Sequence, residues 1–323
     1  MNLKFSYIVL VGSALILISI GVFAGPTNTP FEDVLKGLML SSDGMMDTIV
    51  WSIRIPRIFV SLLVGGCLGL AGILIQLSTR SSLGDPNLFG IGGGATIYIA
   101  CIAAGLVSVG EPAIFLGCIT CSTLVALLLT RLISSADLSP VKLAIMGIAI
   151  GALTITIGTS VISHGRVFPT QVIGLLSGSF TSSSWSVIYY ICPAFIACLS
   201  ISIIFARRFY PIMLGDILSK SLGVSPMKTR SITMVLVGVL SGASVFGGGL
   251  IGFVGLASPH IARRLLGNTP RHLIIGSASV GAITTIFADQ LARLLFSPIE
   301  LPVGMATTLL GAPMMIYLAL RIK

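Results

Sequence analysis

Nineteen Lys and Arg, ten Asp and Glu and three His are the ionisable groups of this 323-residue chain, and few stand inside its apolar runs. A charge inside a bilayer is costly and marks a functional or pairing site. Asp289 is the one acid within such a run, near its end, with Arg293 four residues on. That spacing puts both on one helical face, so a structural intramembrane pair is expected. A proton relay would need a chain of buried ionisable groups, which a single aspartate does not supply. His164, His260 and His272 fall on different segments, none at ligand spacing on a shared helix, so no metal site is expected. His260 follows Pro259 in an apolar run and reads as a packed, hydrogen-bonded histidine. Cys118 and Cys121 have no His or carboxylate nearby, and all six cysteines read as small buried groups. No G-x-x-x-x-G-K-[ST] loop exists, which excludes ATP hydrolysis by that route. Neither a catalytic residue nor a cofactor is expected.

The elements that must position these groups are set by lipid. The chain is 55% hydrophobic and 9% charged, where a soluble domain carries roughly 25% charge. Only helices or a closed barrel satisfy their backbone in a bilayer. Long unbroken apolar runs, without the alternation of barrel strands, indicate an all-α polytopic membrane protein. About ten spans of the length a bilayer needs are expected. They run from Phe5 to Ala24, Ile58 to Leu77, Phe89 to Val107, Ala113 to Ile133 and Val141 to Ile162. The rest cover Ser186 to Phe205, Ile232 to Phe246, Leu250 to Leu266, Leu273 to Leu291 and Val303 to Leu320. The first span is read as retained, not as a cleaved leader, because its apolar stretch exceeds the usual leader length. The cations sit singly or in pairs between these runs, not in a stripe with aromatics, which excludes nucleic acid as a partner.

With the amino terminus placed in the cytoplasm, fourteen of the nineteen Lys and Arg fall on the inner side. Lys36, Arg54, Arg57, Arg166 and Arg293 remain outside. The bias follows the positive-inside rule and predicts both termini cytoplasmic in a single domain, residues 1–323. Two loops stand out. The outer segment from Pro26 to Arg57 contains an amphipathic stretch, Phe31 to Lys36, read as a short interfacial helix. The inner loop, about 207–230, contains Leu214 to Val224, read as a short helix ended by Gly223. Its apolar residues 214, 217, 218 and 222 form one face, for a soluble partner or for the membrane surface. The runs Gly92-Gly93-Gly94 and Gly247-Gly248-Gly249 suggest breaks or hinges. Gly65 with Gly69, and Gly147 with Gly151, suit close helix packing.

Several stretches together resemble the FecCD family of ABC importer permeases, which serve ferric siderophores, ferric citrate, haem and cobalamin. They are Arg54-Ile55-Pro56-Arg57 with Leu63-Val64-Gly65-Gly66 and Leu70-Ala71-Gly72, then Gln76, Asp85-Pro86 and Leu88-Phe89-Gly90-Ile91. Gly215-Asp216 with Leu222-Gly223-Val224 follows, then Ile251 to Leu256 with Pro259-His260-Ile261-Ala262-Arg263. The last are Ala288-Asp289 through Arg293, Glu300-Leu301-Pro302-Val303-Gly304 and Gly311-Ala312-Pro313. Departures occur at Gly248-Gly249-Leu250, where the family commonly has a proline after glycine, and at Ala257-Ser258, where aliphatic residues are usual.

The resemblance implies a dimer of identical or paralogous permease subunits in the inner membrane, with the path along their interface. It implies two cytoplasmic ATPases docked on Leu214, Gly215, Asp216, Leu222, Gly223 and Val224. It implies a periplasmic or lipid-anchored binding protein on the outer face, docked through Arg54, Arg57 and Arg293. Gln76 and Ser177 are candidate path-lining groups. Reversing Arg57 to Glu is then expected to weaken docking, most at low ionic strength, and to spare membrane insertion. An iron chelate is the expected cargo, with cobalamin or haem as alternatives. Snorkelling of the arginines to headgroups, a proton- or sodium-driven secondary transporter, and a scaffold without transport remain as competing readings.

Overall fold

The computed structural model describes residues 3–25, 30–39, 44–134, 140–164, 174–295 and 300–321, and over these the ordered elements are all helical. Arg166 and Lys323, which entered the charge count, and Pro26, where the outer segment was expected to begin, lie outside the described residues. The helices are α1 (Leu3–Phe23), α2 (Phe31–Leu38), α3 (Met45–Thr48), α4 (Ile55–Thr79), α5 (Ile91–Ala103), α6 (Glu111–Ser134) and α7 (Pro140–His164). They continue as α8 (Trp185–Leu214), α9 (Asp216–Ser221), α10 (Pro226–Gly248), α11 (Val254–Leu266), α12 (Pro270–Leu294) and α13 (Val303–Arg321).

Seven helical segments among the described residues are long and apolar enough to cross a membrane: α1, α3 through α4, α6, α7, α8, α10 and α12. The expected third and eighth spans are shorter. Helices α5 and α11 have 13 residues each, or about 20 Å of rise against a hydrocarbon core of about 30 Å. In the eighth, the backbone first runs non-helically from Gly249, at φ +71°, to Phe253, at φ +67°. Only then does α11 begin, so the apolar run was two elements. The sixth and seventh spans are longer than expected. Helix α8 reaches Leu214 and α10 starts at Pro226, so the inner connection is narrower than residues 207–230. Pro226 suits the first helical turn, and Ser225 accepts the Lys228 backbone N–H at 3.5 Å.

Helix α4 is the axis of the bundle. It is apolar on every side, and 89% of its spanning window is buried, which is what a central helix requires. Pro56 sits inside a continuous helical segment, Met45–Thr79, and does not interrupt it. The turns before it, Ile49–Arg54, are π-helical, a widening that accommodates the proline ring and its missing N–H. Helix α12 runs antiparallel along α4. A Cβ on Gly65 would meet the Gly281 carbonyl oxygen, and one on Gly69 the Ser277 carbonyl oxygen. Close backbone approach through small residues is the usual substitute for hydrophobic drive in lipid. Gly69→Val is therefore expected to destabilise the detergent-solubilised protein by about 1–3 kcal/mol or more, the range for overpacking. A melting profile by size-exclusion chromatography reads this, and an unchanged midpoint would refute the packing role.

The glycine runs divide. Gly247-Gly248-Gly249 ends α10, and the freed backbone pairs with the segment opposite. Ser179 N–H donates to Gly248 O at 3.0 Å and Leu250 N–H to Leu175 O at 3.1 Å. Gly92-Gly93-Gly94, by contrast, is regular helix at the start of α5. The run is used for contact, since a Cβ on Gly94 would lie 2.6 Å from Cys121 O. At the other end of α4, α2 is a helix with Val34 and Gly37 buried against the bundle, and Phe23 stacks on Phe31 at 4.6 Å.

Candidate functional sites at the two ends of the bundle

Arg57 and Arg80 bracket α4, about 35 Å apart at 1.5 Å per residue. Each organises a group of charges at its own end.

At the Arg57 end the three expected outer arginines come together, but inside the protein. Arg54, Arg57 and Arg293 are 4%, 6% and 3% exposed. Arg57 Nε donates to both oxygens of Asp289 at 3.1 Å, and its Nη2 to Asp289 Oδ1 at 2.8 Å. Its Nη1 donates to Glu300 Oε2 at 2.9 Å and Oε1 at 3.1 Å. The guanidinium fork is thus used on two carboxylates, the geometry that separates Arg from Lys. Arg293 approaches Asp289 only to 4.0 Å and donates through Nη2 to Ala24 O at 3.1 Å. Arg54 Nη1 donates to Val22 O at 2.8 Å. The carbonyls at the end of α1 and just past it, at the negative end of its dipole, thus receive two cations.

This extends one expectation and corrects another. Asp289 keeps Arg293 as an i,i+4 partner at 4.0 Å, but Arg57 is the closer one, because α4 lies alongside α12 and offers a forked donor. Arg57 does not face water, because two carboxylates hold it within the fold. Glu300 was not singled out as its partner, since 243 residues separate the two.

At the Arg80 end, Asp216 opens α9 and is held from two sides. Arg230 Nη1 donates to Oδ2 at 3.0 Å and Nη2 to Oδ1 at 2.9 Å, while Arg80 Nη2 donates to Oδ1. Arg230 Nε also donates to Ser78 O at 3.1 Å, tying α10 to the end of α4. Glycines set the path of the chain on both sides of α9. Gly215 takes φ +117° and ψ +161°, a region open essentially to glycine alone. Gly223 takes φ +77°, and the Val224 N–H returns to Ser219 O at 2.9 Å, the bond of a glycine helix cap. The helix is shorter than Leu214 to Val224, but Leu214 at the end of α8, Ile217 and Leu218 on α9 and Leu222 just after it are 64%, 82%, 51% and 60% exposed. The expected apolar face is therefore an exposed one. Sequence reasoning counted Arg80 and Arg230 only as topology charges; nothing local to either pointed to Asp216.

The loop between α4 and α5 braces this end. Asp85 Oδ1 accepts the backbone N–H groups of Asn87 at 2.8 Å and Leu88 at 3.0 Å. Burial pushes its carboxyl up from the usual range, opposed by N–H bonds from Leu88, Asn87 and Leu256. His260 Nε2 pairs with Ser82 O at 3.0 Å, a structural role. Gln76 is 3% exposed. Its Nε2 donates to Gly84 O at 3.3 Å, and its Oε1 accepts from Arg263 Nη1 at 2.7 Å. Both ends of Gln76 are hydrogen-bonded within the chain. Ser177 is half-buried and lines an open hollow with Leu250, Gly252, Gly304, Met305 and Thr308. Among the described residues no group of His, Cys, Asp or Glu could hold a metal ion.

Residues 13–321 match the model of the FecCD transport family, and the chain belongs to that family. It is a permease subunit of an ABC importer, a multi-pass protein of the cytoplasmic membrane whose part is transport and not bond-making. It is 30% identical over 307 residues to the Fe(3+)-citrate import system permease protein YfmD of Bacillus subtilis, covering 94% of this chain and 90% of that one. It is 30% identical over 320 residues to the Fe(3+) dicitrate transport system permease protein FecD of Escherichia coli, covering 99% and 98%. A solved structure described as an inward-facing conformation of an ABC transporter of metal-chelate type superposes with a TM-score of 0.83. It is 26% identical and covers 99% of both chains.

Proposed function

We propose that the chain forms half of the membrane path of an importer for an iron chelate, fed by a soluble binding protein and driven by a separate ATPase pair. The observation that carries this reading is the tethered helix α9. An exposed apolar face on a rigid, doubly salt-bridged helix suits a partner that must push on it, because a loose segment would absorb the movement. Tyr210, Met213 and Met227 are exposed as well, and a large exposed apolar patch marks an interaction site. In this proposal α5, α11 and α13 complete ten membrane elements, and both termini are cytoplasmic, as the charge bias supports. Relatives named for ferric citrate support an iron chelate over cobalamin or haem. Two subunits, identical or paralogous, would place the Ser177 hollow on the path. Its lining mixes Leu and Met side chains with two glycines, a serine and a threonine and carries no charge, which suits a bulky cargo that must be released.

In this reading the binding protein docks at the Arg57 end. Arg54, Arg57 and Arg293 then serve as the framework beneath that face, because all three are buried and bonded within the fold. The burial and pairing of Asp289 favour a structural role for it over proton coupling.

The test is the double substitution Ile217→Asp with Leu218→Asp, followed by ATPase co-purification and uptake of the labelled ferric chelate. The expected result is a fully inserted permease from which the ATPase is lost, with uptake at background. Undiminished co-purification would overturn the assignment of α9. Uptake independent of any ATPase but abolished by collapsing the proton gradient would revive secondary transport.

A further inference from the structure

An apolar groove of about 280 Å³ lies between α1, α4, α8 and α12 and belongs to neither site described above. Its floor is made of small residues: Gly66 on α4, Ala278 and Ala282 on α12, and Ala14 on α1. Phe195 on α8 closes one side, 3.1 Å from where a Cβ on Gly66 would stand. Only two side chains in the lining carry polar atoms, and both are satisfied internally. Ser279 Oγ donates to Ile275 O at 3.0 Å, and the Tyr7 hydroxyl pairs with His272 Nδ1 at 3.0 Å. Nothing in the groove would hold water, so it favours an apolar occupant.

The rims identify the solvent it opens to. Helices α1 and α8 are the least buried of the seven candidate spans, each with 17% of its window enclosed. They carry exposed Ile8, Val11, Leu15 and Ile196 beside the groove. On α12 the lining runs from Ile275 to Ile286, about 16 Å at 1.5 Å per residue. That is close to the depth of one leaflet, half of a core of about 30 Å. One end is polar. Tyr7 and His272 close it within a turn of Lys4 and Arg271, both exposed at the starts of α1 and α12. The charge bias proposed above places this end in the cytoplasmic leaflet.

We propose that the groove is a lipid site, holding one acyl chain of an anionic phospholipid whose phosphate lies against Lys4 and Arg271. A chain seated there fills the gap beneath α1, which the protein itself leaves open. Basic residues at a membrane surface favour anionic headgroups, and a second copy of this chain would offer no headgroup charge to match.

The experiment is native mass spectrometry of the full chain, purified in detergent and titrated with phosphatidylglycerol or phosphatidylcholine of the same acyl composition. One phosphatidylglycerol should be retained over phosphatidylcholine by about tenfold, the preference two surface cations can give. Lys4→Gln with Arg271→Gln should bring the two lipids to parity without altering the elution profile. Ala14→Phe, which fills the groove from the least packed helix, should remove the tightly held lipid of either kind. Equal retention of the two lipids by the parent protein would overturn the headgroup assignment. Retention unaffected by Ala14→Phe, or retention lost together with the monodisperse peak in every variant, would overturn the site. A dimer that Ala14→Phe dissociates would show a second copy as the occupant and overturn it as well.

Discussion

Arg57→Ala is expected to cost the folded permease about 3–5 kcal/mol, the range for breaking a buried ion pair from one side. Asp289, with its side chain 3% exposed, would keep only the 4.0 Å approach of Arg293 as a charged neighbour. Glu300 is 26% exposed at its side chain and can turn toward water, so most of the cost falls on Asp289. Arg57→Lys should lie between parent and alanine, since an ammonium cannot bridge both carboxylates with a planar fork. The double substitution Arg57→Leu with Asp289→Leu is the informative control. Removing both members leaves no orphaned carboxylate, and stability should recover relative to either single change. Melting midpoints in detergent, taken as a double-mutant cycle, check this directly. If Arg57→Ala folds and melts like the parent while only binding-protein association falls, the buried cluster is not structural and the free-docking expectation returns. Reversal to Glu should be worse than alanine, because it adds a third carboxylate to a site built for two.

What the sequence made legible was local, and what it hid was long-range. Composition and run length were enough for an all-helical membrane chain, because lipid allows few alternatives. The short helix before Gly223 was readable from four apolar residues at helical spacing and a glycine at the right place. The pairing of Asp289 was read only in part, for the same reason that the cap was read correctly. An i,i+4 neighbour is visible in a line of text, whereas a donor 232 residues away is not. Which helix adjoins α12 is decided by the glycine contacts along α4, and those show their partners only in three dimensions. Hydropathy also hides helix that leaves the membrane. Arg207 and Arg208 ended the sixth span on paper, yet α8 carries on to Leu214, with Pro211 inside the helix, and stops only at Gly215. The two glycine triplets look alike as text and differ in use. One opens a helix packed against a neighbouring backbone, and the other ends a helix where a facing segment accepts its free groups.

Asp216→Asn is expected to lower uptake by about three- to tenfold, a factor that about 0.7–1.4 kcal/mol carries, while membrane insertion stays at parent levels. Its side chain is 41% exposed, and exposed ion pairs contribute only about 0.2–1 kcal/mol each, so global stability should barely move. The effect should appear instead in coupling. Asp216 is the one acid of α9, and two arginines from different helices converge on it. Neutralising it frees α9 to shift relative to α4 and α10, so a push from the ATPase is spent on local movement. Transport measured per ATP hydrolysed should therefore fall, and the ATPase should still co-purify because the apolar face is intact. The arginines are predicted to differ. Arg230→Gln removes the bidentate pair and the bond to Ser78 O together, whereas Arg80→Gln removes one donor, so the first should uncouple more. A charge swap, Asp216→Arg with Arg230→Asp, should restore part of the loss if the tether itself is what matters. Parent-like transport per ATP in Asp216→Asn would remove the tether from the coupling route, leaving α9 as a passive contact.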